Sequence, residues 1–214
     1  MHEENEIKEK ILLKTDEKFQ QFGFAKVTME EIAGDLGISK KTLYKYFPNK
    51  EHILKEILDK NKCEFELFVE QLFSDNSLEF IEKLKTLLDH IFKNSQRFHG
   101  PLVQDLMKNH PQLWHEIQDF RKKKAYNNIS MMLNAGVKEG IFRNDIDTEI
   151  ITSVYMGAIH SLLNPEVISN LPISFENLHK TVTKIVLEGV LSEEGRNKYK
   201  TKDVFNENNG DTGL

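Results

Sequence analysis

The side chains best suited to binding chemistry lie in one short segment, residues 39–50, which holds four lysines and no acidic residue. Lysine ammonium groups pair with phosphate oxygens, and lysine and threonine side chains can also donate to the edges of nucleic-acid bases. A lysine cluster of this length can equally be an ordinary solvated face. Because salt limits the reach of an exposed charge to roughly 8–10 Å, this local patch matters more for binding a polyanion than the net charge of −5.

Two helices are predicted ahead of this segment. Apolar residues recur at helical spacing over residues 7–22, which predicts an amphipathic helix that ends at Gly23. Thr28 and Glu31 have the spacing of a capping box, in which each side chain binds the backbone amide of the other. We therefore expect a second, short helix to begin directly after Thr28.

A third helix is predicted to carry the lysines. Gly37 allows a tight turn, Ser39 is a good N-cap, and the helix is expected over residues 40–47, because Pro48 cannot continue it comfortably. Asn49 is a plausible cap for a fourth helix. Two short helices joined by a turn with glycine are typical of a helix-turn-helix motif, although any two such helices would look alike.

The predicted third helix has an inner and an outer face. Ile38, Leu43 and Phe47 fall on the inner face, and the small Ala33 allows the second and third helices to cross closely. The outer face carries Lys40, Lys41, Thr42, Lys45 and Tyr46. Such a face suits a groove of double-stranded DNA.

This part of the chain resembles the DNA-binding signature of TetR-family (tetracycline-repressor-like) regulators. The resemblance spans residues 7–58, and its most specific part is residues 27–51, which read VTMEEIAGDLGISKKTLYKYFPNKE. The preceding Phe22-Gly23-Phe24 matches the aromatic-glycine-aromatic end of the first helix in that family. The resemblance implies a DNA-binding transcriptional regulator.

The resemblance also implies roles for single residues. Thr28 would bind a phosphate through its amide and hydroxyl, and Lys50 would bind another from the start of the fourth helix; the alternatives are a plain helix cap and an ordinary surface lysine. Tyr44 would hold the DNA backbone through its hydroxyl, and Tyr46 either flanks the groove or packs on the first helix. The full set of expected DNA-binding residues is Thr28, Ser39, Lys40, Lys41, Thr42, Tyr44, Lys45, Tyr46 and Lys50.

The rest of the chain predicts an all-α protein. The resemblance implies that it consists of a three-helix DNA-binding head and a helical body for ligand binding and dimerisation. We expect the head over residues 1–60, the body over 61–192 and a flexible tail over 193–214, where apolar residues are few. Apolar residues at helical spacing predict body helices that end near Asn109, Gly140 and Val190. No linker separates head from body, so the fourth helix would connect them.

Members of the family commonly pair their last two long helices with those of a second subunit. A homodimer would place two recognition helices roughly 34–36 Å apart, on the two halves of a palindromic operator. The same apolar residues could equally be ordinary core. The expected interface consists of Ile151, Val154, Tyr155, Ala158, Ile159, Leu162, Leu178, Val182, Ile185, Val186 and Gly189.

The resemblance further implies a small-molecule effector, whose identity the sequence does not reveal. Candidates to line its pocket are aromatic and flexible apolar residues of the middle helices, each of which could instead be core. They are Phe65, Phe68, Phe92, Phe98, Trp114, Phe120, Tyr126, Met131 and Tyr155.

Other function classes find little support in the sequence. The lone Cys63 and the eight histidines show no metal-ligand spacing, and no phosphate loop or catalytic triad pattern appears, so we expect no metal, no cofactor and no enzyme. No apolar stretch reaches the ~20 residues of a membrane helix, and a cytoplasmic protein is expected. The leading hypothesis is a repressor released from its operator by a small molecule. The alternative is a DNA-anchored regulator that binds another protein and has no such effector.

Overall fold

A computed structural model describes residues 2–94, 100–162 and 174–202, and these ranges form helices joined by turns. The one contact of β type among them is an isolated bridge between Phe142 and Leu191. The predicted all-α class is therefore confirmed. The helices are α1 (His2–Phe22), α2 (Met29–Asp35), α3 (Lys40–Tyr46), α4 (Lys50–Ser74), α5 (Phe80–Lys93), α6 (Pro101–Asn109), α7 (Pro111–Lys138), α8 (Thr148–Leu162), α9 (Phe175–Val190) and α10 (Glu193–Lys202).

The chain divides into two compact units. We call residues 1–71 and 96–118 the head unit, and residues 72–95 and 119–214 the body unit. Helices α4 and α7 contribute residues to both. The head unit thus contains more than the predicted residues 1–60, because Leu102 and Leu106 of α6 and Ile117 of α7 are buried in the same apolar cluster as the first four helices.

The head core consists of large side chains that are almost completely removed from water. Phe19, Phe24, Leu43 and Phe47 are each at most 1% exposed. Burying a side chain of this kind stabilises a fold by about 1.5–3 kcal/mol. Two of the four belong to or directly follow α3, so the lysine-bearing helix is anchored in this core.

Two glycines explain the end of α7 in the body unit. Gly140 has a φ of +69°, and the amides of Gly140 and Ile141 bind the carbonyls of Val137 and Gly136, which closes the helix with a Schellman motif. A Cβ on Gly136 would lie 2.2 Å from the ring of Phe142, and that ring meets Phe80 edge-on, with 5.6 Å between the centroids. The helix therefore contains glycine at position 136 because an aromatic side chain packs against its backbone.

The segment from residue 193, expected to be a flexible tail, begins with the helix α10. Ser192 caps this helix by accepting a hydrogen bond from the Gly195 amide (2.9 Å), and its own amide binds the Ile141 carbonyl (2.9 Å). A Cβ on Gly195 would lie 2.1 Å from the Ile141 carbonyl oxygen, so only glycine permits this approach. Tyr199 packs against the body core. The structure thus differs from the expectation over residues 193–202, and residues 203–214 lie outside the described ranges.

Candidate nucleic-acid interface

Helix α2 starts with the capping box that the sequence predicts. The Glu31 amide donates to the Thr28 hydroxyl oxygen (3.2 Å), and the Thr28 amide donates to the Glu31 carboxylate (2.9 Å). The Thr28 hydroxyl also donates to that carboxylate (3.0 Å), and these bonds from Thr28 lower the pKa of Glu31. The amide and hydroxyl expected to bind a phosphate are therefore already bound to Glu31, and a phosphate at Thr28 must compete with this carboxylate.

The turn between α2 and α3 is closed by backbone hydrogen bonds around Gly37. Its φ is +63°, a conformation that glycine adopts without a steric penalty. The amides of Gly37 and Ile38 bind the carbonyls of Gly34 and Ala33, each at 3.0 Å, which is again a Schellman motif. These bonds set the angle at which α3 leaves α2.

Helix α3 is stabilised by a cap at its N-terminus and by the buried side chains of its inner face. The Thr42 amide donates to the Ser39 hydroxyl oxygen (3.0 Å), which confirms Ser39 as the N-cap. Leu43 and Phe47 are buried, and the half-buried Ile38 packs against the same head core, so the predicted inner face is confirmed. Asn49 likewise caps α4 by accepting from the His52 amide (3.0 Å).

The outer face of α3 carries the expected cations. Lys40, Lys41 and Lys45 are exposed, and Tyr44 is 52% exposed. Thr42 and Tyr46 are half-buried, and Tyr46 packs against the head core. The fully exposed groups of this helix are therefore three ammonium groups and a phenol, and Thr42 is accessible in part.

Two of these lysines form ion pairs within the head unit. Lys40 pairs with Glu30 of α2, and Lys45 pairs with Glu4 of α1 (2.8 Å). The pair with Lys45 lowers the pKa of Glu4, and the pair with Glu4 raises the pKa of Lys45. The two glutamates are missing from the sequence prediction, because helical spacing within one helix does not reveal which residues of other helices it will meet, and Glu4 is 41 positions from Lys45.

Lys50 begins α4, where the resemblance places it, and its ammonium group already has partners in the head unit. Its ammonium donates to the backbone carbonyls of Phe24 (2.8 Å), Val27 (3.2 Å) and Ala25 (3.3 Å). It also lies 4.4 Å from the centroid of the Phe24 ring. Instead of extending from the protein as a free surface cation, Lys50 is bound to the loop that connects α1 and α2.

Asp105 of α6 binds the same loop, and the sequence contains no signal for this contact. Its carboxylate accepts hydrogen bonds from the Ala25 amide and the Asn109 side chain. Burial alone would raise the pKa of Asp105, but these hydrogen bonds and the neighbouring His110 outweigh burial and keep the pKa below its usual range. The carboxylate is therefore charged at neutral pH.

The candidate ligand-pocket residues are divided between the two units. Met131 is 61% exposed, so its side chain points to solvent and does not line an enclosed pocket. Phe98 lies outside the described ranges, as does the side chain of Phe120. Of the others, Phe65, Phe68 and Trp114 belong to the head unit, whereas Phe92, Tyr126 and Tyr155 belong to the body unit.

Phe92 and Tyr155 come together around His179, which the sequence analysis does not single out. The Tyr155 hydroxyl lies 3.1 Å from Nε2 of His179 and 3.2 Å from the Thr183 hydroxyl, and the Phe92 ring meets the imidazole edge-on at 5.3 Å. Burial lowers the pKa of His179 to about 4 and raises that of Tyr155. The four-residue spacing of His179 and Thr183 places both on one face of α9, which is the signal for this group.

The predicted interface residues on α8 and α9 differ in exposure. Val154 is 60% exposed and Ile185 65% exposed, and Gly189 is also exposed. Ile151 is buried in the body core and is not available to a second subunit, while the side chain of Leu162 lies outside the described residues. Ile150, absent from the prediction, is 60% exposed. The half-buried members are Tyr155, Ala158, Ile159, Leu178, Val182 and Val186.

Two further properties concern metals and membranes. In the described ranges, no three His, Cys, Asp or Glu side chains are grouped as metal ligands would be. Among the same residues, no helix combines the length and apolar character needed to cross a bilayer.

Comparison with known proteins extends the interpretation of the head unit. Residues 11–57 match the model of the family described as bacterial regulatory proteins, tetR family. The HTH-type transcriptional regulator YvaF of Bacillus subtilis (strain 168) is 24% identical over 185 residues, 86% of this chain and 96% of YvaF. The HTH-type transcriptional repressor KstR2 of Mycobacterium tuberculosis is 27% identical over 144 residues, 62% of this chain and 68% of KstR2.

The fold is similar to that of solved regulators. The complex of SmeT with triclosan superposes with a TM-score of 0.67 at 16% identity, and the match covers 97% of this chain and 98% of SmeT. SmeT is the repressor of the Stenotrophomonas maltophilia multidrug efflux pump SmeDEF. At this identity, the likeness shows a common fold.

Proposed function

We propose that this chain, which belongs to the tetR family of bacterial regulatory proteins, is a homodimeric repressor that leaves its operator when a small molecule binds. The observation that carries the proposal is the outer face of α3, where Lys40, Lys41 and Lys45 are exposed above a buried inner face. As a regulator of chromosomal DNA, it acts in the cytoplasm.

The recognition step assigns different tasks to the residues of α3. Lys41 and Thr42 face the major groove and are expected to determine base preference, because each bidentate contact discriminates by roughly 1–3 kcal/mol. Tyr44 binds the DNA backbone through its exposed hydroxyl, and Lys40 and Lys45 add cations that leave their glutamate partners when phosphates approach. Thr28 binds a phosphate only if the Glu31 carboxylate moves away.

Dimerisation is supported by exposed apolar residues on the body unit. Ile150 and Val154 of α8 and Ile185 of α9 are at least 60% exposed. Around Gly157 and Gly189 there is open space, so a helix from a second subunit can approach their backbone. A two-fold contact through these helices would bring two recognition helices to one operator.

A small-molecule effector is supported by two observations. SmeT, which has a similar fold, is known as a complex with triclosan. In this chain, Phe92 and Tyr155 meet at His179, so apolar rings and hydrogen-bonding groups occur together, as is usual in ligand sites. An effector lowers operator affinity only by binding the DNA-free form more tightly.

The proposal is tested by selecting bound fragments from randomised DNA with the purified protein, followed by binding measurements on the selected site. We expect a palindromic site, bound by one dimer, and an altered site for Lys41→Ala. The matched control is Lys122→Ala, which removes an exposed lysine of the body unit and should select the unchanged site. Absence of any preferred sequence would contradict the proposal. Release of the selected site by a screened small molecule separates an effector-controlled repressor from a regulator that binds only protein partners.

A further inference from the structure

We infer that Asp105 and Lys50 are positioning residues for DNA binding, which hold residues 23–27 between a carboxylate and an ammonium group. This inference rests on the proposed function, because it concerns how the DNA-binding helices are oriented. It assigns to Lys50 a contact with the protein's own backbone in place of a contact with phosphate. We call residues 23–27 the α1–α2 loop.

On one side of the α1–α2 loop, Lys50 satisfies backbone carbonyls. An ammonium group has three hydrogens, and three carbonyl oxygens, those of Phe24, Ala25 and Val27, lie 2.8–3.3 Å from Nζ. The ammonium also lies over the Phe24 ring, which is fully buried. A phosphate that binds Lys50 competes with these carbonyls. Phe24 and Val27 are buried residues, and a buried carbonyl that loses its partner is costly, whereas Ala25 is exposed.

On the other side of the α1–α2 loop, the Asp105 carboxylate accepts hydrogen bonds from N–H groups. Its carboxylate accepts from the Ala25 amide and is held in place by the Asn109 side chain. The backbone at Gly23 comes so close that a Cβ there would lie 3.1 Å from the Asp105 side chain, and the φ of Gly23 is +85°. His110 completes the contact by meeting the Phe24 ring edge-on at 4.9 Å.

The two charges act on one peptide segment in complementary ways. The carboxylate accepts from an amide hydrogen and the ammonium donates to carbonyl oxygens, so each group binds the end of the peptide dipole that matches its charge. The loop contains no regular secondary structure of its own, and it leads directly into Thr28, the N-cap of α2. The orientation of α2, and of α3 through the turn at Gly37, therefore depends on where this loop is held.

Asp105 lies far from the DNA-binding residues along the chain. It is 80 residues from Ala25 in sequence, and α6 packs against α1 within the head unit. Through this contact, α6, which lies outside the helix-turn-helix motif, helps to determine the geometry of that motif. Neither Asp105 nor Lys50 needs to touch DNA for this.

The test is a salt titration of operator binding with the full-length protein, using the site selected as described above. We expect Lys50→Met and Asp105→Asn each to lower operator affinity about tenfold while the dependence of log affinity on log salt keeps its slope. Lys45→Met is the comparison variant that removes a cation proposed to bind phosphate, and it should make the slope shallower by about one unit. A shallower slope for Lys50→Met would overturn the inference and make Lys50 a phosphate ligand.

A second measurement tests the contact at the α1–α2 loop independently of the proposed function. In amide hydrogen exchange without DNA, Asp105→Asn should speed exchange at Ala25, while amides in α9 of the body unit keep their rates. If wild-type protein binds no DNA but this exchange result holds, the proposed function fails and the two-sided contact stands. Unchanged exchange at Ala25 or unchanged operator affinity in Asp105→Asn would overturn the inference itself.

If Lys50→Met does not fold, the Lys50→Arg variant tests the inference instead. A guanidinium binds phosphate well, but its donors lie in one plane and cannot point to three converging carbonyls in the same way. We therefore expect Lys50→Arg to lose operator affinity with an unchanged salt slope. Full affinity in this variant would overturn the inference.

Discussion

Helix α3 of the head unit and helices α8 and α9 of the body unit expose opposite kinds of side chain. The exposed face of α3 in the head carries lysines, whereas α8 and α9 in the body expose Ile150, Val154 and Ile185. Water solvates an exposed ammonium group well, so the face of α3 is stable with or without a ligand. Exposed isoleucine and valine gain free energy when covered, at about 25 cal/mol per Å² of buried apolar surface. The lysine face of α3 therefore suits reversible binding of a polyanion, whereas the apolar face of α8 and α9 suits a permanent partner.

The largest effect is expected from removing the apolar support beneath the lysines. Leu43→Ala should lower the free energy of unfolding by about 3 kcal/mol, because it leaves a cavity under α3 where no water enters. Urea unfolding followed by circular dichroism measures the change. The control is Leu13→Ala, since Leu13 is 64% exposed and its loss should change little. Equal effects of both substitutions would mean that α3 is not anchored through Leu43.

The next effect concerns the apolar face of the body. The double substitution Val154→Lys and Ile185→Lys should convert the proposed dimer to monomers, because it places charges on the surface that a partner would cover. Operator affinity should fall about a hundredfold, since a single head reads half a site. Analytical ultracentrifugation gives the mass, and Met131→Lys, which charges an exposed apolar position on α7, is the control. A double variant that remains dimeric would locate the interface elsewhere.

A third effect distinguishes the buried polar group of the body from the exposed charges of the head. The pKa of His179 is about 4, below the value of about 6.5 in an unfolded chain, so the unfolded state binds more protons below pH 6.5. The stability that this neutral histidine supplies is present above pH 6.5 and is lost as the pH falls toward 4. Between pH 7 and pH 5 the loss should be about 2 kcal/mol.

The check on this pH dependence is urea unfolding of wild type and His179→Gln at both pH values. Glutamine keeps a hydrogen-bonding group near Tyr155 but does not titrate. We expect the variant to be less stable at pH 7 and to lose less stability on acidification. An identical pH dependence in the two proteins would assign the acid sensitivity to other groups.

The smallest effect concerns the ion pairs on the DNA-binding face. Glu30→Gln frees Lys40 and removes a negative charge beside α3, so affinity for all DNA sequences should rise about threefold. Filter binding with operator and with random DNA at low salt measures both. Glu56→Gln, which breaks the pair with Lys8 between α1 and α4, is the matched control and should leave DNA binding unchanged. A gain for the operator alone would instead give Glu30 a role in base recognition.

Most of the helix-turn-helix prediction rests on local sequence patterns, namely helix caps and helical periodicity. The caps at Thr28, Ser39 and Asn49 each require a partner only three residues away, so residue type and spacing suffice to recognise them. The inner position of Leu43 follows in the same way from helical periodicity. These features are decided by neighbours along the chain, and all of them are confirmed.

Contacts between distant segments depend on how the helices pack, which periodicity does not specify. That Lys45 meets Glu4, that Lys50 turns back to the loop at residues 24–27, and that Asp105 reaches the same loop from α6 follow from tertiary structure alone. The helix that follows residue 192 also depends on tertiary structure, because Gly195 lies in close contact with the backbone of Ile141. Capping and amphipathic spacing are local, so residue type and spacing are enough to predict that α3 exposes lysines. Which of those lysines already have partners depends on how the helices pack, because Glu30 lies on α2 and Glu4 on α1.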